Sequence, residues 1–175
     1  MRVFIALLFS LEEKKIIFDY KERLSKNYEG NYTTFDNLHL TLYYVGEVND
    51  SELKLIKDEI KKINLESFVY EVSGIGSFKN KGDHCLVHLE VGLNYNLLKL
   101  QSRVLNALKK AFVPITQTNF TPHITIGRKV KMSLEDIKRI RMEKFSVVAK
   151  KISIMESKRV NENLVYEEID FQSLK

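Results

Sequence analysis

Cysteine occurs once in the 175 residues, at Cys85, so no disulfide can form within the chain and a reducing, cytoplasmic compartment is expected. Tryptophan is absent, and there are only two prolines and seven glycines. With no Pro- or Gly-rich stretch and no low-complexity run, nothing marks a linker, and residues 1–175 are expected to form a single domain of two closely packed lobes. Long apolar runs are missing too, which excludes a membrane-spanning helix. The apolar opening Val3 to Phe9 is followed by Glu12 and Glu13 without a small-residue cleavage site, so it reads as a buried strand rather than a signal peptide.

Charge is plentiful, at 29% of residues, and its balance is basic: the formal net charge is +5. Much of the excess comes from Lys14, Lys15, Lys54, Lys57, Lys61 and Lys62, which fall on predicted helices and read first as solvated faces. A polyanionic partner is compatible with this balance but not required by it.

Along the chain, short strand-like segments alternate with helices. Val3 to Leu8 reads as a strand, and Ser10 with Glu13 opens a helix through about Leu24. Leu38 to Val45 is the next strand, and Asn49 with Glu52 caps a second helix bearing Leu53, Ile56, Ile60 and Ile63. Strands over Phe68 to Val72 and Leu86 to Val91 flank an expected loop, 73–83. A third helix carries Leu97, Leu100, Val104, Leu108 and Phe112 on one side. A strand at Ile124 to Ile126, a short helix opened by Ser133 and Asp136, and strands over Phe145 to Met155 and Leu164 to Phe171 complete the pattern. It predicts an α+β protein with largely antiparallel sheets.

Two segments repeat each other. Leu38-His39-Leu40-Thr41-Leu42 and Pro122-His123-Ile124-Thr125-Ile126 both read His-apolar-Thr-apolar, and the histidines lie 84 positions apart, one in each half. On a strand, alternation puts His and Thr on one face, about 7 Å apart, with the apolar residues in the core behind them. A histidine titrates near ~6.5, so of two facing imidazoles one can take a proton from water while the other gives one to a leaving oxygen. Threonine hydroxyls suit non-bridging phosphate oxygens, and Arg128, three residues beyond Thr125, adds a fixed positive fork. No carboxylate cluster accompanies the motifs, which fits metal-free phosphoryl chemistry better than a two-metal site. One His-x-Thr alone reads as an ordinary polar sheet face; the repetition gives the pair its weight.

Two rivals are weighed against this reading. His84, Cys85 and His88 invite a zinc site, yet a strand points Cys85 away from both histidines and a fourth ligand is missing, so no metal is expected. A non-catalytic RNA-binding module would use the basic balance and Tyr28, Tyr32, Tyr43 and Tyr44, which read rather as core or rim residues. Lys79 and Lys81 in the expected loop fit an RNA backbone contact or a plain exposed loop equally well.

With both motifs in view, the sequence resembles the two-histidine (2H) phosphoesterase superfamily, and within it the RNA 2′,3′-cyclic phosphodiesterases, also called 2′-5′ RNA ligases. The resemblance rests on Arg2–Ala6, on Asn37–Gly46 around the first motif, on Gly74–Phe78, on Phe120–Arg128 around the second, and on the stretch from Met155 to Tyr166. It implies a bilobal fold with pseudo-two-fold symmetry and a central cleft. It implies hydrolysis of an RNA 2′,3′-cyclic phosphate end to a 2′-phosphomonoester without a cofactor, acting on RNA or oligonucleotide, with reversible 2′-5′ ligation as a related activity; nothing in the sequence suggests an oligomer, so a monomer is expected. His39 is then the proton donor and His123 the acceptor, with Thr41, Thr125 and Arg128 on the phosphate. ADP-ribose cyclic phosphate and 2′-5′ oligonucleotides are alternative substrates within the superfamily. His88 departs from the tryptophan common in the middle strand.

Overall fold

The computed structural model describes Met1–Lys175. Its elements, in chain order, are β1 (Arg2–Leu7), α1 (Leu11–Ser25), β2 (Asn31–Tyr32), a 3₁₀ turn (Phe35–Asn37), β3 (Leu40–Glu47) and α2 (Asp50–Ile60). There follow β4 (Phe68–Lys81), β5 (His84–Val91), α3 (Tyr95–Lys110), β6 (His123–Lys131), α4 (Leu134–Arg139), β7 (Phe145–Ala149), β8 (Lys151–Val160) and β9 (Asn163–Ser173).

Three helices start where side chains meet their free N–H groups. The Glu13 amide donates to Ser10 Oγ while the Glu13 carboxylate accepts from the Ser10 amide, and Asn49 with Glu52 and Ser133 with Asp136 repeat this reciprocal cap. Helix α3 begins at Asn94, whose side chain accepts from the Leu97 amide.

All strand pairs are antiparallel and fall into two sheets, ordered β3-β1-β8-β9 and β2-β6-β5-β4-β7. Apart from the short β2, the two orders correspond, and each places a motif strand (β3 or β6) at one end of its four-strand set. This is the expected α+β architecture of two antiparallel sheets with helices. One apolar cluster draws side chains from both sheets and from all four helices, including Ile5, Leu40, Ile17, Ile56, Leu100, Ile124 and Ile137. It locks the sheets together so that β3 and β6 approach one another. No helix is long and apolar enough to cross a membrane.

Four expectations need correction. Residues 73–81 are not a loop: β4 runs through them and turns at Gly82-Asp83 into β5. Ile75 and Phe78 pair with Leu89 and Leu86 in a ladder with two bulges, and Gly82, at φ +59°, takes the positive-φ position that such tight turns favour. The segment Phe145 to Met155 is two strands, for β7 pairs with β4 in one sheet and β8 with β1 in the other, with no proline or glycine to mark the switch. Phe112 does not continue the buried face of α3. It is 84% exposed at φ +62°, where the chain leaves the helix, and the Val113 amide donates back to the Leu108 carbonyl. Finally, β3 begins at Leu40, so His39 stands just ahead of its strand, on the exit of the 3₁₀ turn.

Candidate active site

The alternation expected around each motif holds. Leu38, Leu40 and Leu42 are buried while His39 and Thr41 are only half-buried, and Ile124 and Ile126 are buried between half-buried His123 and Thr125. The two polar faces sit on strands from different sheets that meet where β3 and β6 approach.

Each imidazole is anchored in the same way. His39 Nδ1–H donates to the Asn37 carbonyl at 2.7 Å, and His123 Nδ1–H donates to the Thr121 carbonyl at 2.8 Å. A carbonyl can only accept, so both rings carry their proton on Nδ1 and present Nε2 as the reactive atom. The copies then diverge. Thr41 Oγ lies 3.0 Å from His39 Nε2 and donates to it, whereas His123 Nε2 has no partner of this kind.

His39 is enclosed by aromatic rings, with Phe4 at 4.9 Å and Tyr166 at 5.1 Å between centroids. Burial pushes its pKa down to about 4; the bond to the Asn37 carbonyl opposes this, and the positive charge of Arg128 adds to it. In the free protein His39 is therefore a neutral ring whose Nε2 accepts from the Thr41 hydroxyl. A cavity of about 240 Å³ opens beside it, lined by Phe4, His39, Thr41, Tyr44, Arg128, Ser157 and Tyr166. Arg128 thus leaves its own motif and faces the first histidine across the sheet junction. His123 and Thr125 do not line this cavity, although a charge on His123 is felt at His39.

Asn37 has a role that the sequence does not disclose. It is buried, donating through Nδ2 to the Leu164 carbonyl at 2.8 Å and accepting at Oδ1 from the Tyr166 amide at 3.1 Å. Its backbone carbonyl holds His39, so one residue ties the β9 hairpin to the first imidazole. Asn37→Ala is expected to cost about 1–3 kcal/mol in denaturant unfolding, because the buried amide's two hydrogen bonds to the β9 backbone are lost. Turnover should fall as well, since His39 loses its frame; unchanged stability would show that water replaces the amide.

Around His123 stand Phe78 (5.0 Å, edge-on) and His88 (5.3 Å), and Phe78 stacks on His88 at 4.0 Å. His88 is buried at 4% exposure, and neither of its nitrogens has a hydrogen-bond partner. Leaving a buried polar group unsatisfied costs about 1–3 kcal/mol, so this side chain is an expense within the fold. Glu90 lies directly opposite His123 in the β5–β6 ladder, with its carboxylate over Gly74 and Gly76.

The other sequence candidates are dispersed. His84 pairs with Asp83 at 2.6 Å, Cys85 is buried, and no group of three or more His, Cys, Asp or Glu residues is placed to hold a metal ion. Tyr43 is buried, with its hydroxyl donating to the Pro114 carbonyl and accepting from the Thr116 amide; Tyr28 and Tyr32 pack against the core, and only Tyr44 reaches the cavity. Lys79 and Lys81 are exposed near the tip of the β4–β5 hairpin.

A family model described as the 2′-5′ RNA ligase superfamily matches residues 17–158. The RNA 2′,3′-cyclic phosphodiesterase of Thermotoga maritima is 33% identical over 131 residues, covering 73% of this chain and 70% of its own. The protein of the same name from Archaeoglobus fulgidus is 31% identical over 93 residues, 53% of this chain and 52% of its own. Among solved structures, E. coli LigT complexed with 3′-AMP superposes with a TM-score of 0.81 at 19% identity, covering 99% of this chain and 97% of its own.

Proposed function

The chain belongs to the 2′-5′ RNA ligase superfamily, and we propose that it hydrolyses the 2′,3′-cyclic phosphate at an RNA end to a 2′-phosphomonoester. The relatives that bear the name RNA 2′,3′-cyclic phosphodiesterase support this reading, as does the nucleotide held by E. coli LigT. The observation that carries it is the paired anchoring: two imidazoles from two sheets, each fixed at Nδ1 by the carbonyl two residues before it, each with Nε2 as the working atom.

His123 Nε2 takes a proton from water as the water oxygen attacks phosphorus. The P–O3′ bond breaks, and O3′ receives a proton from His39 Nε2–H, leaving the phosphate on O2′. Thr41, Thr125 and Arg128 hold the non-bridging oxygens, where Arg128 offers a fixed charge and two parallel donors. The two imidazoles supply both proton transfers, so this route requires no cofactor. Cys85, free and buried, fits a reducing, cytoplasmic setting.

His39 is neutral in the free protein, yet a donor must be charged. The cyclic phosphate is an anion, and set beside Nε2 it offsets the burial that keeps the ring neutral. Substrate binding and proton uptake by His39 are therefore linked.

An oligonucleotide ending in a 2′,3′-cyclic phosphate tests the reading. Phosphorus NMR is expected to show conversion to a 2′-phosphate with a kcat, which reports the substrate-bound state, that is bell-shaped in pH around neutrality. Formation of 3′-phosphate alone, or no hydrolysis, would reject it.

A further inference from the structure

The two motifs are nearly identical in sequence, so something outside them must make one histidine differ from the other. The ladders locate the difference. Opposite Thr41, on β1, stands Ala6; opposite Thr125, on β5, stands His88. Where the neighbour is a methyl group, Thr41 reaches His39 Nε2; where it is an imidazole, His123 Nε2 stays clear.

We propose that His88 is a positioning residue for His123: backed by Phe78, it holds the His123 ring with Nε2 clear of Thr125, and its own unpaired nitrogens gain a partner once substrate and water enter the cleft. The proposal rests on the phosphodiesterase reading above.

Three observations converge on it. First, both nitrogens of His88 are buried and unpaired, although a phenylalanine of similar shape would fill the site without that penalty. Second, the place is prepared for the imidazole. A Cβ on Gly76, the residue opposite His88 on β4, would stand 2.9 Å from His88 Cε1. A side chain there would crowd the Glu90 carboxylate, 2.5 Å away at Oε1, together with the ring. Third, the contacts run directly to the second histidine, since Phe78, His88 and His123 touch one another pairwise.

The charged and titratable groups facing His88 are few. β6 contributes His123, and β5 itself contributes Glu90, whose carboxylate reaches the same space above Gly76 as the His88 ring. β4 contributes none, facing the ring with Gly76 and Phe78. Burial, then the nearby His123, holds His88 neutral, with its pKa down at about 4; the Leu89 backbone opposes this weakly and lies outside hydrogen-bond geometry. A neutral imidazole keeps one donor and one acceptor, which is the equipment needed to orient a water between itself and His123.

His88→Phe and His88→Gln, assayed on a 2′,3′-cyclic-phosphate-ended oligonucleotide, test this. In His88→Phe, kcat is expected to fall tenfold or more while KM stays within about twofold, because Thr41 and Arg128 still hold phosphate. Melting should rise by roughly 2–4 °C, the effect of relieving one unsatisfied group in a domain of this size. His88→Gln, which restores a donor and an acceptor, should recover part of kcat. Wild-type kcat in His88→Phe overturns the proposal, and so does a fall in melting temperature that accounts for the lost rate. If the wild-type chain hydrolyses no cyclic phosphate, the phosphodiesterase reading fails by itself. Ring-proton NMR titration of His123 then decides this proposal: a midpoint that moves in His88→Phe supports it, and an unmoved one overturns it.

Discussion

His39→Gln and His123→Gln are each expected to lower kcat on a cyclic-phosphate-ended RNA by about 10²- to 10⁴-fold, the range supplied by one positioned acid or base. Glutamine is the informative replacement because it is polar, has a similar reach and cannot carry the proton. The two losses should not add, since an acid without its base does little more than the cleft alone. Circular dichroism should report an intact fold in both variants. The copies should differ in one respect. His39 sits against Phe4 and Tyr166 and is held by Asn37, so its replacement disturbs packing as well as chemistry. His123 is anchored by a loop carbonyl and leans on Phe78 and His88, so its loss should appear more purely in kcat. Either variant retaining turnover within tenfold of wild type would remove that histidine from the mechanism.

How much of this the sequence disclosed depends on whether a feature is local. The helix caps at Ser10, Asn49 and Ser133 were legible because each is a four-residue pattern with its own hydrogen bonds. The motif faces were legible because strand alternation is a local rule, and Leu40 and Ile124 are buried beside half-buried histidines as that rule demands. The continuation of β4 was hidden, because its glycines and lysines read as a loop and the reason for Gly76 lies on another strand, in the side chains of His88 and Glu90. The placement of Arg128 was hidden for the same kind of reason. Three residues past Thr125 it reads as part of the second motif, yet the sheet junction sends it to the first. Asn37 and Tyr166 are far apart in the chain, and only the fold shows that one fixes the hairpin of the other. His88 could be noticed from sequence, but its unpaired nitrogens could not.

Acid should unfold this protein earlier than its carboxylates alone would dictate. His39 and His88 are both held down at about 4 in the folded chain, whereas in the unfolded chain they titrate near ~6.5. Between these values the unfolded chain binds more protons, so stability rises with pH through the window and is complete above it. As pH falls from about 6.5 toward 4, that stability is lost; below 4 both states are protonated and these groups contribute nothing further. The loss is on the order of 3 kcal/mol for a fully buried imidazole such as His88 and less for half-buried His39, against a typical total of about 5–15 kcal/mol. Urea midpoints between pH 6.5 and 5, above most carboxylate titration, are expected to fall steadily, and His88→Phe should flatten the slope. A flat wild-type profile, or a slope that His88→Phe leaves intact, would show that His88 is not held neutral by its burial. Sulfate, whose charge is constant over this range, separates the second contribution. If an anion beside Arg128 lets His39 take up its proton, the stabilisation by sulfate must grow as the pH falls. An increment equal at pH 6.5 and pH 5 would mean that the anion binds without protonating His39, and the first histidine would then need another source for the proton it gives to O3′.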